Sequence, residues 1–391
     1  MRTALTIFAI WAAGLGAAAQ FGKMSVAYPA LEFVYSGKSA LGYPAQSAVA
    51  IGLILSVVGL VGLVFGTTAG LLVARIGPKR AIVAALVLGA AVSAVQISLP
   101  PYPLMIATRI LEGVSHLAIV VVGPTAIAGL AGQRWQGAAM TLWSSFFGVT
   151  YAVLFYVGPQ LILDQGPGML FGLHAGWMAV LAGVLWLLLP KDAPTRAPGA
   201  AASLWAEHRA IYASPWLAAP AMGFVCYTMT YVAVLTLLPA QMGDMGGFIG
   251  VAMPLVSISV SMTLGVWLLA RISAVHLVQA GFALSIIAAA GLWAFWGQTA
   301  AVGFALGVAA SLGLVQGASF AALAQLNPGA ADRAKGAGAI AQLGNVGTTS
   351  GTPVLVFAME KTGQTGLALF LIGFSALGIV IHAVQARRRQ R

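Results

Sequence analysis

Met105–Ile119, MIATRILEGVSHLAI, places an arginine, an acid and a histidine in a segment that is otherwise apolar. Helical residues turn by about 100° each, so steps of three and seven bring Arg109, Glu112 and His116 onto one face. Such a face needs solvation from somewhere. Inside a bilayer these side chains are expensive and mark functional sites. The rest of the chain says whether this is a bilayer segment. Of its 391 residues, 60% are hydrophobic and 7% charged, against about 25% charged in soluble domains. That inventory cannot cover a water-facing surface, so the chain reads as an all-α integral membrane protein. The 48 glycines suit close helix–helix contact in lipid. The single cysteine, Cys226, excludes an intrachain disulfide and a thiolate metal cluster.

A span needs about 20 apolar residues. Such runs predict twelve transmembrane helices: 4–31, 48–74, 80–99, 102–130, 136–163, 167–190, 214–240, 247–271, 274–296, 299–326, 333–359 and 364–386. The start resembles a signal peptide, but its apolar run continues to Leu31, so it reads as a retained first span. The one long internal connection opens with KDAPTRAPGAA and continues through LWAEHRAIY, a candidate interfacial helix. It divides the chain into a six-helix bundle over 1–190, a cytoplasmic linker over 191–213 and a second six-helix bundle with a basic tail over 214–391.

Positive charge sets the orientation. With the N-terminus inside, fifteen of the 19 Lys and Arg residues fall on the cytoplasmic side and two, Lys38 and Lys361, outside. Lys23 and Arg109 lie within spans. The net charge of +11 is therefore a topology signal, with a lipid-facing tail in RRRQR, and not a nucleic-acid patch. Both termini are expected in the cytoplasm of a bacterial cell, with the protein in its inner membrane.

Three short matches recur at similar offsets in equivalent helices. Val73-Ala-Arg75-Ile-Gly77 pairs with Leu269-Ala-Arg271-Ile-Ser273, Arg134-Trp-Gln-Gly137 with Arg333-Ala-Lys-Gly336, and Glu112-Gly113-Val-Ser115 with Gln316-Gly317-Ala-Ser319. They argue for two duplicated halves, an architecture of transporters whose substrate site lies between the halves.

These features resemble the major facilitator superfamily over essentially the whole chain. Gly70-Leu-Leu-Val-Ala74-Arg75-Ile-Gly77-Pro78-Lys79-Arg80 is similar to that family's cytoplasmic signature G-x-x-x-D-R-x-G-R-R, with Ala74 at the position of the acid. The resemblance implies a gating role for Gly70, Arg75, Gly77, Lys79 and Arg80, and for Arg134 at the turn before the fifth helix. Arg109-Ile-Leu-Glu112-Gly113 is similar to the family's R-x-x-Q-G pattern, linked to proton coupling. Gly158-Pro159 lacks the full Gly-x-x-x-Gly-Pro spacing of drug antiporters, since Leu154 holds the first glycine position. The resemblance also implies two six-helix bundles, working as a monomer, with the first, fourth, seventh and tenth helices lining a central cavity.

At 1.5 Å per residue, Arg109 lies about 10 Å below the outer surface, Lys23 about 12 Å and Glu112 about 15 Å. Three readings of this set stay open. Arg109 and Glu112 neutralise each other and stabilise the bundle; or Arg109 and Lys23 attract an anion while Glu112 or His116 carries a proton; or Glu112 is the proton-exchanging acid of a drug exporter. Two cations against one acid favour the second, because an unpaired buried cation is costly without an anion or water. Gln20, Tyr227, Tyr231, Gln316 and Asn345 are candidates to complete the substrate site. His174, in a helix expected to be peripheral, is assigned a packing role. The glycine-rich GNVGTTSGTP of the eleventh helix is a candidate bend.

Walker and dinucleotide-binding signatures and metal-ligand spacings are absent from the sequence, so no cofactor and no enzymatic reaction are expected. The expected function is proton-coupled transport of a small organic anion, such as a carboxylate. The alternatives are proton-driven efflux of amphipathic drugs and a non-transporting receptor or assembly factor on the same fold.

Overall fold

The computed structural model describes residues 2–66, 68–69, 73, 76–131, 139, 142–143, 145–192, 204–327 and 330–390. Secondary structure among them is helical throughout. Eleven helical stretches are long and apolar enough to cross a membrane, counted among the described residues. The helix Ala330–Thr362 is also long, at 33 residues, but carries many glycines and polar side chains.

The chain divides into two compact units, 1–200 and 201–391. The first contains the first helix (Arg2–Phe33), the second (Ala48–Phe65), the third (Pro78–Gln96), the fourth (Tyr102–Leu130), the fifth (Phe146–Gln165) and the sixth (Pro167–Leu188). The other contains the linker helix (Leu204–Ala213), the seventh (Ala218–Gln241), the eighth (Gly246–Leu269), the ninth (Ala274–Ala294), the tenth (Ala300–Leu326), the eleventh (Ala330–Thr362) and the twelfth (Gln364–Gln390). Punctuation at the helix ends is local. Pro78, Pro101 and Pro167 sit at or just before helix starts, where a missing N–H costs nothing, and Ser47 and Ser273 accept backbone N–H bonds as N-caps.

Both units use one neighbour scheme. In the first unit, the first helix packs on the fourth, fifth and sixth, the third on the fourth and sixth, and the second on the fourth. In the second unit, the seventh packs on the tenth, eleventh and twelfth, the ninth on the tenth and twelfth, and the eighth on the tenth. Three-dimensional packing thus repeats the duplication visible in the short sequence matches.

Two departures from regular helix matter below. The second helix, expected to run unbroken, tightens to a 3-10 turn at Val57–Gly59. The eleventh, a candidate bend, is continuous. Its glycines serve contact instead. A Cβ at Gly347 would sit 2.7 Å from the Met229 nitrogen and 2.8 Å from the Val225 oxygen of the seventh helix. Gly347→Val is therefore expected to cost ~1–3 kcal/mol through overpacking, seen as a lower melting temperature of the purified protein. An unchanged melting temperature would show that these helices separate freely.

The linker helix is fastened to the second unit. Tyr212 Oη donates to Gln342 Oε1 at 2.8 Å. Burial pushes the Tyr212 phenol up to about 12, so it stays a donor at physiological pH.

Candidate functional site

Charge in the first unit gathers around Glu112. Arg109, Glu112, Lys23, Ser93 and Gln96 are all wholly buried, and they come from the fourth, first and third helices. Lys23 Nζ donates to Glu112 Oε1 at 2.5 Å, to Ser93 Oγ at 2.6 Å and to Gln96 Oε1 at 2.8 Å. An ammonium has three protons, and these three acceptors use them all. Gln96 Nε2 donates to Glu112 Oε2 and to Thr108 Oγ1, both at 3.0 Å. Arg109 Nη1 pairs with Glu112 Oε2.

The rest of the Arg109 fork is taken by backbone. Nε donates to the Ile54 carbonyl at 2.7 Å and Nη2 to the Leu55 carbonyl at 3.1 Å. These carbonyls stand just before the 3-10 turn of the second helix, where the regular i→i−4 ladder gives way to a tighter one. Gly113 allows the approach, since a Cβ there would meet the Val58 carbonyl and lie 2.9 Å from a Val61 methyl. The arginine, the glycine beside it and the break in the neighbouring helix thus form one device.

The sixth helix adds His174, whose expected packing role gives way to a place in the cluster. His174 Nδ1 lies 2.6 Å from Ser93 Oγ and 3.2 Å from Lys23 Nζ, and its Nε2 lies 3.0 Å from the Gly16 carbonyl. Ser93 and Gln96 were missed as well. Their signal was present: two polar residues at i,i+3 in an otherwise apolar helix.

The other candidates are placed as follows. Gln20 Nε2 donates to Ser115 Oγ at 2.9 Å, one turn from Lys23, and its buried Oε1 has no partner. His116 lies on the same fourth helix, but its Nδ1 donates to the Ala17 carbonyl at 3.1 Å and its ring meets Phe21 edge-on. No hydrogen bond joins it to Glu112. In the second unit, Tyr227 and Tyr231 stack with centroids 5.1 Å apart and extend a ladder from Phe224. Gln316 is half-buried in the tenth helix. Asn345 Nδ2 is turned back on its own helix, to the Ala341 carbonyl at 2.8 Å.

Of the gating set, Gly70, Arg75 and Arg134, with Ala74, lie outside the described residues. Gly77 has φ +94°, open to glycine, and a Cβ there would strike the Asp192 carboxylate. That carboxylate caps the third helix, accepting from the Lys79 nitrogen at 2.9 Å and the Arg80 nitrogen at 3.1 Å. Lys79 Nζ donates to the Leu189 carbonyl at 2.8 Å, at the end of the sixth helix, where a cation is favoured. The Arg80 side chain is exposed.

Beside the cluster, the first, fifth and sixth helices line a half-open apolar groove of about 290 Å³, bordered by the buried Lys23 and His174 and by Leu15 and the exposed Val153, Leu173 and Trp177. The second unit repeats the contact of third on sixth helix in neutral form: Ser375 Oγ donates to Ser285 Oγ at 3.2 Å, between the twelfth and ninth helices. Both hydroxyls are wholly buried. Among the described residues, no group of three or more His, Cys, Asp or Glu is placed to hold a metal ion.

The sequence profile of the Major Facilitator Superfamily matches residues 3–352. No curated protein matches the chain in sequence. Among solved structures, the chain is similar to a bacterial homologue of the human lysosomal transporter Spinster in its inward-facing, unoccupied form. The TM-score is 0.72 at 11% identity, over 99% of this chain and 96% of that one. The inward-facing, occupied form of that homologue gives 0.75 at 11% identity, over 97% and 96%. At such identity the likeness concerns the fold.

Proposed function

The chain belongs to the Major Facilitator Superfamily, and from that membership we propose that it carries a small organic anion together with a proton across a bacterial inner membrane by alternating access. One observation supports the anion: Lys23 and Arg109 share a single carboxylate, Glu112, with all three wholly buried. The surplus positive charge has no counter-ion among the described residues. A buried cation without an anion is costly, so the site favours a negatively charged guest. Lys23 and Arg109 receive the guest's carboxylate as Glu112 takes up the proton and lets go. Gln20 lies beside Lys23 with an unpaired oxygen, ready to accept a hydroxyl of the solute. His116 follows one turn below Glu112. Tyr227, Tyr231, Gln316 and Asn345 are the neutral substrate-binding candidates of the second unit. The protein acts as a monomer, with both termini in the cytoplasm. Gly77, Lys79 and Arg80, with Gly70, Arg75 and Arg134, form the cytoplasmic gate.

Proteoliposomes under an imposed pH gradient, given radiolabelled monocarboxylates, test this reading. The wild type accumulates at least one of them, and Lys23→Ala lowers that accumulation by about tenfold or more, a tenfold change being 1.4 kcal/mol of lost interaction. Unchanged accumulation in Lys23→Ala overturns the anion role. The half-open apolar groove next to Lys23 favours a second reading, export of amphipathic compounds. Drug resistance in cells that overproduce the protein, with no carboxylate flux, decides for it.

A further inference from the structure

We infer that His174 and Ser93 share the coupling proton with Glu112, Ser93 passing it between the carboxylate and the imidazole. This rests on the anion–proton reading of the same site. His174 Nε2 faces the Gly16 carbonyl at 3.0 Å. A carbonyl only accepts, so Nε2 carries a hydrogen. In the neutral ring Nδ1 is then a bare acceptor. Ser93 Oγ, 2.6 Å away, must donate to it. The three protons of Lys23 are already spent on Glu112, Ser93 and Gln96. Ser93 has one hydrogen, so while it serves His174 it cannot also serve Glu112, although Glu112 Oε1 is only 3.0 Å away.

A second arrangement satisfies the same heavy atoms. With a proton on Nδ1, the imidazolium donates to Ser93 Oγ. The Ser93 hydroxyl turns and donates to Glu112 Oε1. Lys23 keeps all three of its bonds. The two arrangements differ by one proton and one hydroxyl rotation. Transfer balances accordingly: a protonated Glu112 gives its hydrogen to Ser93 Oγ, Ser93 gives its own to His174 Nδ1, and a neutral acid and imidazole become a carboxylate and an imidazolium. The reverse passage returns the proton to Glu112 when a solute carboxylate claims Lys23 and Arg109.

The groups around the imidazole are Lys23 and the Gly16 carbonyl of the first helix, Ser93 of the third, and Glu112 with Arg109 of the fourth. His116 is less suited, because its Nδ1 is held by the Ala17 carbonyl and no hydrogen bond connects it to Glu112. In the second unit the equivalent contact is Ser285 with Ser375, which has no group to hold a proton at neutral pH.

Two measurements test the relay. The first needs no substrate: ¹⁵N-histidine NMR of the full chain in nanodiscs, with the His174 signals assigned by their loss in His174→Gln. The expected result is the Nε2–H tautomer at neutral pH, with the Nδ1 signal displaced in Ser93→Ala and kept in Ser93→Thr. A Nδ1–H tautomer, or a Nδ1 signal indifferent to Ser93→Ala, overturns the relay. The second uses the radiolabelled monocarboxylates above. Ser93→Ala and His174→Gln are expected to lose pH-driven accumulation about tenfold or more, a modest share of what positioned proton transfer contributes. Solute exchange at equal pH is expected to fall less than pH-driven accumulation, whereas a merely structural defect would reduce the two alike. Full driven accumulation in Ser93→Ala overturns the relay. If the wild type moves no monocarboxylate, the anion reading fails, while the tautomer result stands on its own.

Discussion

Glu112→Gln is expected to destabilise the purified protein by ~3–5 kcal/mol, the cost of removing one partner from a buried ionic cluster. The glutamine fits the space but leaves Lys23 and Arg109 facing each other without an anion, each wholly buried. Lys23→Met costs less, because Glu112 keeps Arg109 and Gln96 as donors. The informative variant is the double, Lys23→Met with Glu112→Gln. It returns the cluster to its native net charge, so it is expected to melt above Glu112→Gln alone. Neighbouring groups couple in this way, and distant ones add. Strict additivity of the two single effects, read by thermal denaturation in detergent, would falsify the description of Glu112 as the shared counter-ion.

Arg109→Lys carries the second large effect despite keeping the charge. A guanidinium holds three directions at once in a planar fork, which an ammonium cannot reproduce. Lysine at this position can answer Glu112 but leaves the carbonyls of Ile54 and Leu55 without their donor. A buried acceptor left unsatisfied costs ~1–3 kcal/mol, so about 3 kcal/mol is expected for the pair. The loss is local, and hydrogen exchange reads it. Amides around the 3-10 turn Val57–Gly59 exchange faster in Arg109→Lys, while those of the sixth helix do not change. Wild-type exchange at the turn would show that the second helix breaks without help from Arg109.

Helix edges were legible because bilayer helices obey length and composition. The fourth helix was read as 102–130 and is Tyr102–Leu130. The seventh begins at Ala218, four residues after its expected start. The turn at Val57–Gly59 was not legible, since the side chain that bonds to the carbonyls just before it, Arg109, stands some fifty residues away, and nothing in the local run of Val, Leu and Gly announces it. The eleventh helix was a candidate bend because glycine permits bending. Only the nearness of the seventh helix shows what Gly347 is for. Within the cluster, Arg109, Glu112 and Lys23 stood out as charges in apolar surroundings. Ser93 and Gln96 did not, because an uncharged serine or glutamine in a membrane helix, even one paired at i,i+3, is commonly just an interhelical bond. His174 was set aside on the position of its helix, and side-chain reach overrode that position.

Asp192 stands some 110 residues downstream of the two amides it caps, those of Lys79 and Arg80. Chains are made at about 5–20 residues per second, so the third helix waits several seconds or more for its cap after leaving the ribosome. All six helices of the first unit are synthesised before that carboxylate exists. The contact therefore acts as a closing stitch in biosynthesis: it forms only once the sixth helix has been made and its end has come back beside the start of the third.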